Sequence, residues 1–264
     1  MTVARPWRLG LRALALGYLG ALLLVPVGLV FYRTFEGGLG EVWASVTTPA
    51  AVSAFWLTVT VAAIAVPLNT VLGVVCALAL VRGRSRGRAL LDLVIDLPFA
   101  VSPIVIGLSL ILVFGAGGWI ELPFQVIFST PGIVLATTFV SLPFVVREVV
   151  PVLREVGEEQ EQAAATLGAS RWQAFWRITL PSIRFGIVYG TILSVARAIG
   201  EFGAVSVVSG RISGETETLT LLVEKRFNNF DLAGAYAAST VLALIAVATL
   251  LALTLVKPRQ ETSS

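Results

Sequence analysis

The 264-residue sequence contains no histidine, a single cysteine and two lysines, and only 13% of its residues are charged. Without histidine, the commonest metal ligand and the usual acid–base group near neutral pH are missing. One cysteine, Cys76, excludes a disulfide within the chain; it stands in an apolar run and reads as a buried side chain. Neither lysine, Lys225 nor Lys257, follows a glycine, so the Gly-Lys-Ser/Thr core of a phosphate loop is absent. Soluble domains carry about a quarter charged residues, and this chain falls well below that.

What is present is apolar: 56% of the residues are hydrophobic and the mean hydropathy is +0.89. A helix needs roughly 20 apolar residues to cross a hydrocarbon core about 30 Å thick. Six stretches qualify: about 13–32, 54–80, 93–114, 131–151, 184–208 and 233–256. Pro67 and Asn69 predict a kink or tilt in the second. Pro98 and Pro103 make the third the least regular, and the fourth carries Pro143. The first run is too long for a signal peptide and has no small-residue cleavage pattern before Arg33. Runs this long and uniform exclude barrel strands. The expected fold is an all-α integral membrane protein, a bundle of six transmembrane helices forming a single domain over residues 1–264.

Orientation follows from the basic residues. One set of flanks holds 14 of the 19: Arg5, Arg8, Arg12, Arg82, Arg84, Arg86, Arg88, Arg147, Arg154, Arg171, Arg177, Arg184, Lys257 and Arg259. The opposite flanks hold Arg33, Arg211, Lys225 and Arg226, and Arg197 lies within a span. Both termini and the "VRGRSRGR" loop are therefore expected in the cytoplasm, the loop as a topological anchor rather than a nucleic-acid patch.

The longest stretch outside the spans, about 152–182, contains "EEQEQAAATLGASRWQAFWRITLPSI". Residues 158–167 are strong helix formers with acids in the first turns. Gly168 stands where a left-handed C-cap residue stops a helix. Ser170 and Gln173 have capping-box spacing for a second helix, on which Trp172, Phe175 and Trp176 share one face. Pro181 is expected to end that helix. An aromatic face of this kind suits either a lipid surface or the groove of a partner protein, and the residues alone leave both open.

"QAAATLGASRWQAFWRITLP" resembles the EAA loop of ABC-importer permeases, with Ala163, Ala164, Gly168, Ile178, Leu180 and Pro181 at matching spacing. Gln162 stands where the family usually has Glu; Glu161 beside it lies about 100° away around a helix. "DLPFAVSPIVIGL" (96–108), "SLPFVVREVVPV" (141–152) and "ARAIGEFGAVSVVSG" (196–210) with "GETETL" are similar to the W-type sulfate/thiosulfate permease subunits. The resemblance implies a type I importer bundle of the molybdate/sulfate kind, in the bacterial inner membrane. Its coupling residues would be Gln162, Ala163, Ala164, Gly168, Trp172, Phe175, Leu180 and Pro181. It also implies two copies of an ATP-binding subunit, a second related permease subunit of the T or U type, and an extracytoplasmic sulfate-binding protein. ATP would be bound by the partner subunit, with no cofactor, metal or catalytic residue in this chain; membrane lipid would be a further partner, and nucleic acid would not. Molybdate or tungstate transport is the alternative within the branch. A self-contained channel or secondary transporter is the alternative outside it, although such a carrier needs no docking loop. An integral-membrane enzyme would need gathered polar groups. Asp92 and Asp96, spaced i, i+4 near Arg88, read as acids at a helix start.

Arg197 and Glu201 stand out in the apolar "VARAIGEFGAVSVVSG". Measured from Arg184 at 1.5 Å per residue, Arg197 lies about 20 Å into the span and Glu201 about 6 Å further. A lone charge at the centre of a span costs roughly 2.5–3.5 kcal/mol, so neither should face lipid. The pair is either a structural one that fixes packing or a pathway element that compensates an anion.

Overall fold

A computed structural model describes residues 5–83 and 87–256, all of whose regular structure is helical. The expectations for Arg84, Ser85, Arg86, Lys257 and Arg259 lie outside the described residues. In chain order the helices are α1 (Arg5–Phe35), α2 (Leu39–Val46), α3 (Pro49–Arg82), α4 (Arg88–Ala100), α5 (Pro103–Phe114) and α6 (Thr130–Val156). They continue with α7 (Glu159–Thr166), α8 (Arg171–Ala174), a π-helical turn (Phe175–Thr179), α9 (Leu180–Ile199), α10 (Val205–Val208), α11 (Leu219–Asn228) and α12 (Leu232–Val256). Five helical stretches among the described residues are long and apolar enough to cross a membrane; the bent pair α4–α5 makes six if it counts as one span.

The core is a three-helix unit of α3, α6 and α9. Apolar burial cannot drive helices together in lipid, so close backbone approach and interhelical hydrogen bonds must hold them. Both are present. A methyl group built on Gly73 of α3 would lie 2.6 Å from Val145 Cγ1 of α6, and one on Gly190 of α9 would lie 2.9 Å from Val145 Cα. The buried Asn69 amide donates to Ser141 Oγ at 2.8 Å, and the Thr70 and Thr191 hydroxyls are 3.0 Å apart. Asn69, Ser141, Thr70 and Thr191 thus act as packing elements between the core helices. The most apolar window of α1 is wholly unburied; α1 meets α12, where the Thr34 and Thr240 hydroxyls bond at 2.7 Å.

Three sequence expectations need correction. The third span is not one helix: α4 and α5 meet at 116°. Both prolines are in the stretch, but only Pro103 breaks it. The residue before a proline is pushed out of the helical region, and Val101 and Ser102 are extended at ψ 139° and 135°. The fifth span does not run to 208: α9 ends at Ile199, Gly200 caps it, and the chain turns before α10. Nor does Pro181 end the loop helix. Helix continues from Arg171 to Ile199, with Pro181 in the first turn of α9 directly after the π turn. A π turn holds one residue more than an α turn, and that slack relieves the clash a proline ring makes with the preceding turn. α3 likewise continues unbroken through Pro67.

Asp92 and Asp96 lie beyond the first turn of α4 rather than at its start, and Arg88 pairs with neither. Its guanidinium donates to the Leu80 and Val81 carbonyls at 2.8 and 2.6 Å, capping α3. The two acids instead hold Arg147 of α6, through Asp92 Oδ1 at 2.9 Å and both Asp96 oxygens. This fork joins α4 to α6. At the other end of the bundle the nearly buried Glu217 pairs with Lys225 at 2.9 Å, and Arg211 with Glu224 at 3.2 Å.

Candidate coupling loop and intramembrane charge pair

The loop begins where Gly157, at φ +68°, stops α6. α7 ends in a Schellman arrangement: the Ala169 N–H bonds the Ala164 carbonyl and the Gly168 N–H bonds that of Ala165, each at 3.0 Å. Gly168 sits at φ +87°, as the sequence position requires. Ser170 then opens α8 with both arms of the capping box, Ser170 N–H to Gln173 Oε1 at 2.8 Å and Gln173 N–H to Ser170 Oγ at 3.2 Å.

Trp172, Phe175 and Trp176 form one aromatic cluster, with ring centroids 5.5–5.9 Å apart. Phe175 is half-buried, while Trp172, Trp176 and Leu167 are largely exposed. Gln162, Ala163 and Pro181 are also exposed; Ala164, Ile178 and Leu180 are half-buried. The corner therefore presents an apolar surface at its tip. Sequence reasoning missed Arg82 and Glu161 as partners: they are 3.0 Å apart, and Thr179 Oγ1 donates to the same Glu161 oxygen at 2.8 Å. Glu161 turns inward where Gln162 faces out.

Arg197 and Glu201 do pair, Nη1 to Oε2 at 2.5 Å, as an ion contact rather than an aligned hydrogen bond. The Glu201 side chain is fully buried and that of Arg197 is 28% exposed. Glu201 lies two residues past the end of α9, not within it. Its other oxygen accepts the Ala204 N–H at 2.8 Å, and its carbonyl accepts the Thr220 hydroxyl at 2.9 Å. The carboxylate therefore shapes the turn from α9 into α10 as well as meeting Arg197. No group of three or more potential metal ligands occurs among the described residues.

Residues 69–262 match the family model of the binding-protein-dependent transport system inner membrane component. The chain belongs to that family. This permease is 52% identical over 243 residues to the sulfate transport system permease protein CysW of Synechocystis sp., covering 90% of this chain and 88% of that one. It is 46% identical over 245 residues to CysW of Escherichia coli (strain K12), covering 91% and 84%. Its fold matches a chain of a bacterial ABC transporter involved in the import of the acidic polysaccharide alginate. The TM-score is 0.77 at 16% identity, with 96% and 94% of the two chains covered. The permease is a transport component of the inner membrane, not an enzyme.

Proposed function

We propose that this permease is the W-type membrane subunit of an ATP-driven importer that carries sulfate or thiosulfate across the cytoplasmic membrane. The observation that carries the substrate is the identity to a sulfate permease over nine-tenths of the chain. Two copies of an ATP-binding subunit dock on the cytoplasmic side, a second permease of the T or U type completes the pathway, and an extracytoplasmic binding protein delivers the anion. ATP is bound by those partner subunits, and this chain binds no cofactor. The deciding experiment is uptake of radiolabelled sulfate in cells lacking their own sulfate permease. Uptake competed by thiosulfate supports the reading; uptake of molybdate or tungstate in preference to sulfate overturns the substrate.

Coupling runs through the corner of α7 and α8. The reading rests on the left-handed Gly168 and the exposed Leu167, Trp172 and Trp176 beside it. Among the described residues nothing lies within 4 Å of a methyl built on Gly168, so a side chain there costs backbone conformation alone, about 1–2 kcal/mol and more for a β-branched one. Gly168→Val should leave the permease folded but redirect α8, lowering both uptake and capture of the ATP-binding subunit. Trp172→Ala and Phe175→Ala should weaken that capture too. A face that merely lies on lipid predicts normal copurification. Restoring Glu at Gln162, which faces outward, should be tolerated.

Both termini and the coupling loop are cytoplasmic in this reading, on the 14-to-4 division of basic flanks. Arg147, held by two aspartates, is a bundle residue rather than a flank, which leaves the majority intact. Cysteines at Ser85 and Ser170 should resist a membrane-impermeant thiol reagent in whole cells, while one at the exposed Ser213 should label. Equal labelling of all three would reject the topology.

A further inference from the structure

α7 buries no residue, and among the described residues its polar ties to the bundle all run through Glu161. Beside it lies a partly open cleft of about 290 Å³, lined in part by Leu78, Ala165, Ala169 and Phe175. The loop helix is thus joined to the spans by polar bonds, not by a packed apolar seam. Arg82, the last residue of α3, sends one guanidinium nitrogen to two acceptors. These are the Gly157 carbonyl at the end of α6, at 2.5 Å, and Glu161 Oε1, at 3.0 Å. Glu158 adds a weaker contact at 3.6 Å. That same Glu161 oxygen accepts the hydroxyl of the buried Thr179, which closes the π turn at the root of α9.

We propose that Arg82, Glu161 and Thr179 form a latch that transmits displacement of the coupling loop to the transmembrane core. α3, α6 and α9 form that core: Arg82 and Thr179 bring the ends of α3 and α9 to this carboxylate, and the end of α6 joins through its Gly157 carbonyl on Arg82. A charge-assisted bond in a half-buried place is short and directional, so it moves its partners where an apolar contact would slide. The π turn is the element that yields: its extra residue lets the root of α9 re-register without breaking the helix, and such turns recur at functional positions. Glu161, Arg82 and Thr179 are positioning residues and touch neither ATP nor the anion. The latch rests on the coupling role proposed for the loop.

The test uses the assembled transporter in proteoliposomes with ATP, binding protein and radiolabelled sulfate, and reads sulfate carried per ATP hydrolysed. Glu161→Gln keeps the shape and removes the charge; Thr179→Val removes one hydroxyl and stays readable should the first variant fail to assemble. Each should copurify with the ATP-binding subunit in normal ratio and hydrolyse ATP, while sulfate per ATP falls at least fivefold. Thr179→Ser should restore the normal ratio, which a loss of packing alone would not explain. An unchanged ratio in both variants, with only the amount of complex reduced, would overturn the latch while Gly168→Val remains defective. Normal capture of the ATP-binding subunit by Gly168→Val and Trp172→Ala would remove the coupling reading and the latch with it.

Discussion

Arg197→Ala should abolish sulfate uptake and sharply lower the amount of assembled transporter. Its partner Glu201 is fully buried, and the substitution strands that carboxylate with one backbone N–H as its sole hydrogen-bond donor among the described residues. Removing one member of a buried ion pair costs about 3–5 kcal/mol, a large part of the stability of any domain. The informative rescue is Arg197→Leu with Glu201→Gln, not with Glu201→Leu. Glutamine is neutral yet still accepts the Ala204 N–H, whereas leucine leaves that N–H unsatisfied at a cost of about 1–3 kcal/mol. We expect the Leu/Gln variant to recover assembly and uptake to within about threefold of normal, because Glu201 is engaged in the turn as well as with Arg197. Recovered assembly with uptake still lost would instead assign Arg197 to the anion path. Full activity of Arg197→Ala alone would reject both roles. Immunoblots of membranes and sulfate uptake measured on the same cells separate the cases.

Gly190→Val should leave almost no transporter in the membrane. The nearest atom to the first added carbon is backbone, Val145 Cα at 2.9 Å, with Glu148 Cβ at 3.2 Å. Backbone cannot rotate aside as a side chain can, so α6 and α9 must separate along their contact. Overpacking of a tight core costs typically 1–3 kcal/mol and sometimes more, and here it also breaks dispersion contacts along the seam. Gly186 lies one turn earlier, where an added carbon would sit 3.0 Å from the Glu148 carbonyl oxygen, and would suffer in the same direction. The contrast with Gly168→Val is the sharper check. Both add the same side chain to a glycine, but only Gly190 has a neighbour in the way. Equal membrane levels of the two variants would reject this account of the core.

Local chemistry makes much of this protein legible in its sequence. Apolar run length alone marks where the chain can cross a membrane, since every backbone group in lipid must be satisfied within its own helix. The Schellman corner at Gly168 and the capping box at Ser170 involve partners at most five residues apart, so their spacing in the sequence suffices to place them. The pairing of Arg197 with Glu201 is legible for the same reason, at four residues. Other features depend on residues distant in sequence, and these only the tertiary structure decided. Pro98 and Pro103 looked equivalent, yet just one of them breaks the third span. α9 stops at Gly200, where a buried carboxylate turns the chain toward α10. Arg147 finds Asp92 and Asp96 across 55 and 51 residues, and Arg82 finds Glu161 across 79. Charged side chains are few here and long-range partners many. Which arginine meets which acid is therefore set by how the fold lays α4 beside α6 and the loop helix α7 beside the end of α3, and spacing along the chain carries no trace of that.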